Sequence, residues 1–218
     1  MNIEQKIAAE HNDGPLLLLA GPGTGKTTTL VARYQFLITQ KVNAKQIICC
    51  TFSKKAADEL KLRISEKLDI GTKGLPIATF HALSLRILKA IGEPINVPNN
   101  FEIWAKNFER EKIIRELLKQ NELAKFYDKV ELEDQDPKKI LEYIDTIREE
   151  LLDPEDASVR AAELNDRTKI AHCEVYAAYE EYLNTENKID YPRMAQLACK
   201  ALSKDAETGG HYVRRFQH

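Results

Sequence analysis

The stretch Ala20-Gly-Pro-Gly-Thr-Gly-Lys-Thr27 decides the fold of this 218-residue chain. It has the pattern of a phosphate-binding loop, four residues followed by Gly-Lys-Thr, with Ala20 in place of the usual first glycine. Its glycines let the backbone turn tightly and direct several N–H groups at an anion. Lys26 can place its ammonium group on the β- and γ-phosphates of a nucleotide, and the Thr27 hydroxyl can bind Mg²⁺. The stretch therefore predicts a nucleoside-triphosphate site.

The loop indicates nucleotide binding but leaves the class of protein open, because helicases, nucleotide kinases, transporter ATPases and GTPases share it. The spacing Gly21-x-Gly23 also suggests a dinucleotide-binding fold. The third glycine of that fingerprint would fall at Lys26, which excludes this alternative. Lys26 and Thr27 are the predicted catalytic residues. The residues expected to contact the nucleotide are those of the loop and the residue after it: Ala20, Gly21, Pro22, Gly23, Thr24, Gly25, Lys26, Thr27 and Thr28.

The pattern around the loop predicts a parallel sheet covered by helices. The apolar run at residues 16–20 is predicted as a buried strand directly before the loop, and residues 25–40 as a helix. Further strands are predicted at 46–51 and 76–80, each followed by a helix with an apolar face. This alternation of strands and helices over residues 1–91 is typical of an α/β domain.

A change of pattern near Gly92 predicts a second region. Prolines and asparagines at positions 94–100 form a linker-like stretch, after which the sequence is heavily charged and helical in pattern. We expect residues 92–204 to form an all-helical insertion and residues 205–218 to lead back towards the sheet. Its helices are expected near 101–120, 136–151, 165–186 and 191–203.

The composition favours a folded intracellular protein. The longest apolar run near the N-terminus, residues 15–20, is far shorter than the roughly 20 residues of a membrane span. No secretion signal opens the chain, so we expect no membrane association and a cytoplasmic location. The four cysteines show no spacing typical of zinc. Residues 1–90 hold 13 Lys and Arg against 7 Asp and Glu, and this basic half can hold phosphates.

The opening segment, Asn2-Ile-Glu-Gln-Lys-Ile-Ala-Ala9, resembles the Q motif of the UvrD/Rep/PcrA group of superfamily 1 DNA helicases. Gln5 is the matching residue, and it lies about 20 residues before Lys26, as in that family. The resemblance implies that Gln5 reads the edge of adenine. An amide suits this task, because it can pair with the N6 donor and the N7 acceptor of the base.

Two later segments resemble DNA-contacting motifs of the same family. Ile48-Cys-Cys-Thr-Phe-Ser-Lys-Lys-Ala-Ala-Asp-Glu-Leu60 is similar to the Thr-Phe-Thr-Asn-Lys-Ala-Ala motif, except that Lys54 replaces asparagine. Ala78-Thr-Phe-His-Ala-Leu-Ser-Leu-Arg-Ile-Leu88 is similar to the Thr-Phe-His motif. The resemblance implies contacts to single-stranded DNA, with bases stacked on aromatic rings and phosphates neutralised by lysine. The implied DNA-binding residues are Thr51, Phe52, Lys54, Thr79, Phe80 and His81.

The resemblance continues to the end of the chain. Ile189–Met194 resembles the family's Asp-Phe/Tyr element, and Tyr212–His218 resembles the segment that leads into the Walker B strand. The family implied is one of ATP- and Mg²⁺-dependent 3′–5′ DNA translocases, with this chain as part of their RecA-like ATP-binding domain. Hydrolysis there also needs Walker B carboxylates and arginines of a second RecA-like domain, which these 218 residues do not include. We therefore expect weak ATP–Mg²⁺ binding and very slow hydrolysis.

Two other interpretations stay open. The first is a different phosphate-loop enzyme such as a small nucleotide kinase, although no acceptor site with a catalytic Asp or Arg cluster is evident. The second is a non-catalytic module that binds nucleotide, DNA or a protein partner. Its acidic half would then form the contact, since residues 91–218 hold 19 Lys and Arg against 27 Asp and Glu.

Overall fold

The computed structural model describes residues 1–12, 14–98, 100–104, 106–128, 130–204 and 208–216. It is mostly helical and contains two short parallel pairs of strands, which confirms the α/β class. Asn99 of the predicted linker lies outside the described residues, as do residues 205–207 and 217–218 of the predicted return segment.

The residues divide into two compact units, Met1–Leu83 with Gly210–His218, and Ser84–Gly209. The elements that begin in the first stretch are α1 (Ile3–Glu10), α2 (Lys26–Thr39), a 3-10 turn (Ala44–Gln46), β1 (Cys49–Thr51), α3 (Lys54–Leu68), β2 (Ile77–Thr79) and α4 (Phe80–Ile91). The elements that begin in residues 84–209 are a 3-10 turn (Glu93–Ile95), β3 (Glu102–Trp104), α5 (Asn107–Leu117), α6 (Asn121–Tyr127), a 3-10 turn (Leu132–Gln135), α7 (Pro137–Glu149), α8 (Pro154–Glu163), α9 (Arg167–Thr185), β4 (Lys188–Asp190), α10 (Tyr191–Ser203) and α11 (Thr208–Arg214).

Helices α2 and α3 begin at the positions that the sequence predicts. The Ser53 hydroxyl caps α3 by accepting a hydrogen bond from the N–H of Ala56 at 3.2 Å. The apolar faces of both helices join β1 and β2 in one core. Its buried residues are Val31, Tyr34, Leu37, Ile47, Cys49, Ala57, Leu60, Ile64, Leu75 and Ile77. Burial, with a smaller contribution from Cys50, raises the pKa of the Cys49 thiol to about 11, so this cysteine stays protonated.

Strands β1 and β2 are parallel and end in register. Cys49 pairs with Ile77, and Thr51 pairs with Thr79. Each strand has three residues, fewer than the sequence predicts. Because parallel strands run in the same direction, the segments that follow Thr51 and Thr79 leave the same edge of the sheet.

The prediction of a buried strand at residues 16–20 is wrong. The segment has no strand assignment, and the leucines at positions 17 and 19 are 82% and 84% exposed. A strand needs a neighbour that takes up its backbone hydrogen bonds. Within the described parts of the chain, β1 and β2 pair only with each other. Apolar composition indicates a tendency towards burial, but it does not supply a partner strand.

The prediction that residues 92–204 are all-helical is also wrong, because β3 and β4 form a parallel pair with Ile103 opposite Ile189. The Nζ atom of Lys188 lies 4.2 Å from the centroid of the Trp104 ring, and this cation–π contact joins the two strands. The helix predicted from residue 101 therefore begins only at Asn107. Helices α6 and α8 are further elements that the sequence analysis did not predict.

The second unit is organised around a buried carboxylate, Asp190, which is 0% exposed. It caps α10 by accepting a hydrogen bond from the N–H of Arg193 at 2.9 Å. Arg148 Nη1 and Arg110 Nε each lie 3.0 Å from its oxygens, and the Tyr179 hydroxyl donates to it at 2.8 Å. These partners belong to α7, α5 and α9, so one side chain joins four helices.

In this cluster the negative charge of Asp190 and the positive charges of Arg148 and Arg110 stabilise each other. Burial raises the pKa of Asp190, but the charges of Arg148 and Arg110 outweigh burial and hold its pKa below the usual value. Arg148 is itself buried and also pairs with Glu180 at 2.5 Å. When one partner of such a pair is removed, the other is left as an uncompensated buried charge.

The substitution Asp190→Asn is expected to lower the free energy of unfolding by about 3–5 kcal/mol, because two buried guanidinium groups lose the carboxylate that they share and keep only Glu180 and Asp145 as anionic partners. Chemical denaturation followed by circular dichroism measures this change. Asp58→Asn is the control, since the exposed Asp58 carboxylate forms only a loose pair with the half-buried Lys61 at 3.8 Å and should matter little. Equal stability of the two variants would contradict this account of the cluster.

The same substitution should change the acid dependence of stability. The pKa of Asp190 is lower in the folded chain than in the unfolded chain, whose value is near 3.8. The stabilisation is therefore present above that pH and is lost as the pH falls through the folded pKa. Asp190→Asn should flatten the acid limb of the stability curve relative to the unchanged chain.

Candidate functional site

The predicted phosphate loop is a bent, exposed connection in front of α2. Gly23 and Gly25 have φ angles of 73° and 84°, in the left-handed region that residues with a side chain rarely adopt. Between them, the Thr24 hydroxyl donates a hydrogen bond to the carbonyl oxygen of Gly21 at 2.8 Å. The loop is therefore closed on itself, and its shape depends on the two glycines.

The ammonium group of Lys26 lies over the same turn. It donates hydrogen bonds to the carbonyl oxygens of Ala20 at 3.0 Å and of Gly21 at 2.6 Å. An ammonium group has three donors, so one remains, and the exposed group can exchange its carbonyl partners for phosphate oxygens. Thr27 and Thr28 are exposed in the first turn of α2, where the helix dipole favours an anion.

Gln5 contacts the loop directly. Its Nε2 atom donates a hydrogen bond to the carbonyl oxygen of Thr24 at 2.8 Å. Its Oε1 atom accepts from the N–H of Asn2 at 2.9 Å, and the Asn2 side chain accepts from the N–H of Gln5 at 2.8 Å. This reciprocal pair is a capping box at the start of α1.

The contact between Gln5 and Thr24 was not predicted from the sequence. The spacing Asn2-x-x-Gln5 is a signature of a capping box and could have indicated the fixed position of the glutamine. No local pattern indicates that its amide reaches a residue 19 positions further along the chain.

The predicted DNA-binding residues lie at the last positions of β1 and β2 and directly after them. The Thr51 hydroxyl donates to the carbonyl oxygen of Ser53 at 2.9 Å, so it shapes the turn into α3. The Thr79 hydroxyl accepts from the N–H of Ala82 at 3.2 Å and acts in the same way for α4. Two register-paired threonines therefore set the course of the chain beyond the sheet edge.

Two aromatic residues follow these threonines at the same edge. Phe52 is 98% exposed and Phe80 is 64% exposed, although burial of a phenylalanine ring stabilises a fold by about 1.5–3 kcal/mol. Lys54 begins α3, whose first turn contains no acidic residue, and His81 follows Phe80. The structure thus brings both motifs to one edge, while their role in DNA binding stays a prediction.

A cavity of about 770 Å³ lies in the second unit, beside Phe101 and Leu183, but its Arg193 already bonds to Asn184 at 2.5 Å. Over the described ranges, no three His, Cys, Asp or Glu side chains cluster as metal ligands. None of the described helices is both long and apolar enough to cross a membrane.

The whole chain, residues 1–218, matches the family model of the UvrD/REP helicase N-terminal domain. The chain belongs to this family. It is 33% identical over 221 residues to the ATP-dependent DNA helicase PcrA of Bacillus subtilis (strain 168), covering 100% of the chain and 28% of that relative. It is 29% identical to PcrA of Staphylococcus epidermidis and 26% identical to PcrA of Staphylococcus aureus, with the same coverage. The chain thus spans 28% of the length of these relatives, and the resemblance inferred from its motifs is confirmed.

The substitution Gly25→Ala is expected to destabilise the loop by about 1–3 kcal/mol, because a residue with a side chain is strained at a left-handed position. The added Cβ would also lie 2.9 Å from Gln5 Nε2. Thermal unfolding measures the change. Gly71→Ala is the matched control, since a Cβ there meets no atom within 4 Å. A Gly25→Ala chain as stable as this control would show that the loop does not require the left-handed turn.

Proposed function

We propose that this chain is the ATP-binding N-terminal region of an ATP-dependent DNA helicase that moves 3′–5′ along single-stranded DNA. The observation that carries the proposal is the loop at residues 20–27. Its left-handed glycines precede α2, and the ammonium group of Lys26, the first residue of α2, lies over the loop. The chain matches the UvrD/REP helicase N-terminal domain throughout.

The residues of the loop fit a Mg²⁺-bound triphosphate. The ammonium group of Lys26 would neutralise charge on the phosphates, and the start of α2 would add the positive end of its dipole. The exposed Thr27 would bind Mg²⁺ through its hydroxyl group, and Gln5 would pair with adenine. Residues 20–28 include no Asp or Glu that could polarise an attacking water. The chain spans 28% of the length of its PcrA relatives, and its hydrolysis of ATP is slow in this proposal. Steady-state phosphate release at a complete relative's rate would contradict it.

We further infer that the first unit is part of a RecA-like domain and that the helical region is inserted into it. The parallel pair β1–β2 flanked by helices supports the first inference. The second is supported by the order of the chain, because the first unit contains residues from both before and after Ser84–Gly209. The domain boundaries after residues 91 and 204 stay predictions from the sequence.

Single-stranded DNA is the proposed ligand of the edge where β1 and β2 end. Exposed aromatic rings stack with bases of any sequence, and lysines track the phosphates between them. Phe52 and Phe80 supply the rings. Lys54 and Lys55 supply charge at the start of α3, where a cation is unfavourable for the helix dipole. A bound phosphate would remove this conflict, which supports an anionic ligand there.

Replacement of Lys26 by methionine is expected to weaken ATP–Mg²⁺ binding by about 10- to 150-fold, because a charged hydrogen-bonding group contributes about 1.5–3 kcal/mol. Isothermal titration calorimetry measures the dissociation constant. Lys112→Met is the control, since Lys112 is exposed on α5 in the other unit. The proposal would fail if both variants bound ATP as the unchanged chain does.

Replacement of Phe52 by alanine is expected to weaken binding of oligothymidylate by about 5- to 150-fold, because base stacking on an aromatic ring contributes about 1–3 kcal/mol. Phe52→Trp should retain binding. Fluorescence anisotropy of a labelled oligonucleotide measures the affinity. Phe108→Ala is the matched control, since Phe108 is 71% exposed on α5. Equal effects of Phe52→Ala and Phe108→Ala would remove the strand-end edge from the DNA site.

A further inference from the structure

We propose that Gln5 is a positioning residue for the phosphate loop, which it holds through the carbonyl group of Thr24. Gln5 thereby raises the affinity of the loop for a triphosphate, whether or not a base is attached. The inference rests on the proposed function, because it concerns the same nucleotide site.

The orientation of the Gln5 amide is fixed by its two partners. The backbone N–H of Asn2 can only donate, and the backbone carbonyl of Thr24 can only accept. The amide oxygen must therefore face Asn2 and the amide nitrogen must face Thr24, as the distances of 2.9 Å and 2.8 Å indicate. The side chain is thus a directed link between the start of α1 and the loop.

The link acts between the two left-handed glycines of the loop. Thr24 lies between Gly23 and Gly25, which have the widest choice of backbone conformations of any residue type. Its hydroxyl is bonded to Gly21 within the loop, and its carbonyl is bonded to Gln5 outside it. Fixing the residue between two such hinges removes conformational freedom before a ligand arrives, and pre-organisation of this kind increases affinity.

The helix that carries the link, α1, is held against α2. Ala8 and Ala9 of α1 are buried, and Arg33 of α2 donates to the carbonyl oxygen of His11, just beyond the end of α1. The helix that carries Gln5 is therefore tied to the helix that follows the loop. Gly25 provides the space, because a Cβ there would lie 2.9 Å from Gln5 Nε2.

The loop contact leaves capacity for a base. A glutamine amide can accept two hydrogen bonds and donate two, and the contacts to Asn2 and Thr24 use one of each. The remaining acceptor and donor can pair with adenine while the loop is held. Loss of Gln5 should therefore affect two separable contributions to ATP binding, and a ligand without a base reports only on the loop.

The test compares two variants of the full 218-residue chain with two ligands, Mg²⁺–tripolyphosphate and Mg²⁺–ATP, by isothermal titration calorimetry. Gln5→Met removes the loop contact and one half of the capping box. Asn2→Ala removes the other half of the box and leaves the contact between Gln5 and Thr24 intact. The pair thus separates positioning of the loop from stability of α1.

We expect Gln5→Met to weaken tripolyphosphate binding by about 3- to 10-fold, the effect of one neutral hydrogen bond. ATP binding should weaken further, and Asn2→Ala should leave tripolyphosphate binding unchanged. If Gln5→Met weakens ATP binding alone, or if Asn2→Ala weakens tripolyphosphate binding equally, the inference is wrong and the proposed function stands. If the unchanged chain binds neither ligand, the proposed function fails and the inference fails with it.

Discussion

The backbone must pass twice through the left-handed region, at Gly23 and Gly25, before α2 can begin. This constraint brings the carbonyl groups of Ala20 and Gly21 under the ammonium group of Lys26. It also leaves the space through which Gln5 reaches the loop. The proposals for triphosphate, for Mg²⁺ at Thr27 and for the positioning role of Gln5 all depend on this bend.

The two units are stabilised in different ways. The first buries apolar side chains between α2, α3 and the pair β1–β2, and it keeps polar and aromatic groups exposed where the strands end. The second adds to its apolar core a buried charge cluster in which Asp190 compensates Arg148 and Arg110. Such a cluster is costly to break and sets relative helix positions. The proposed ligand sites lie in the first unit, at the phosphate loop and where β1 and β2 end.

The sequence predicts the parts of the fold that local signals determine. Ser53 marks the start of α3, and the Gly-Lys pair marks the start of α2, as the structure has them. Apart from α6 and α8, which were not predicted, the failures concern partners distant in sequence. Residues 16–20 are apolar enough for a strand but have no strand partner among the described residues, and β3 exists because of a pairing with β4, more than 80 residues away. Within the site, residue types reveal the loop, whereas the link from Gln5 to Thr24 depends on tertiary packing.

In this proposal ATP–Mg²⁺ binds at residues 20–28 and at Gln5, and nowhere else in the chain. Titration of the ¹⁵N-labelled chain with ATP–Mg²⁺, followed by two-dimensional NMR, tests it directly. We expect the largest shift changes at the backbone amides of residues 21 and 23–28 and at the side-chain amide of Gln5. Unchanged signals there, with changes instead around the cavity beside Phe101 and Leu183, would contradict it.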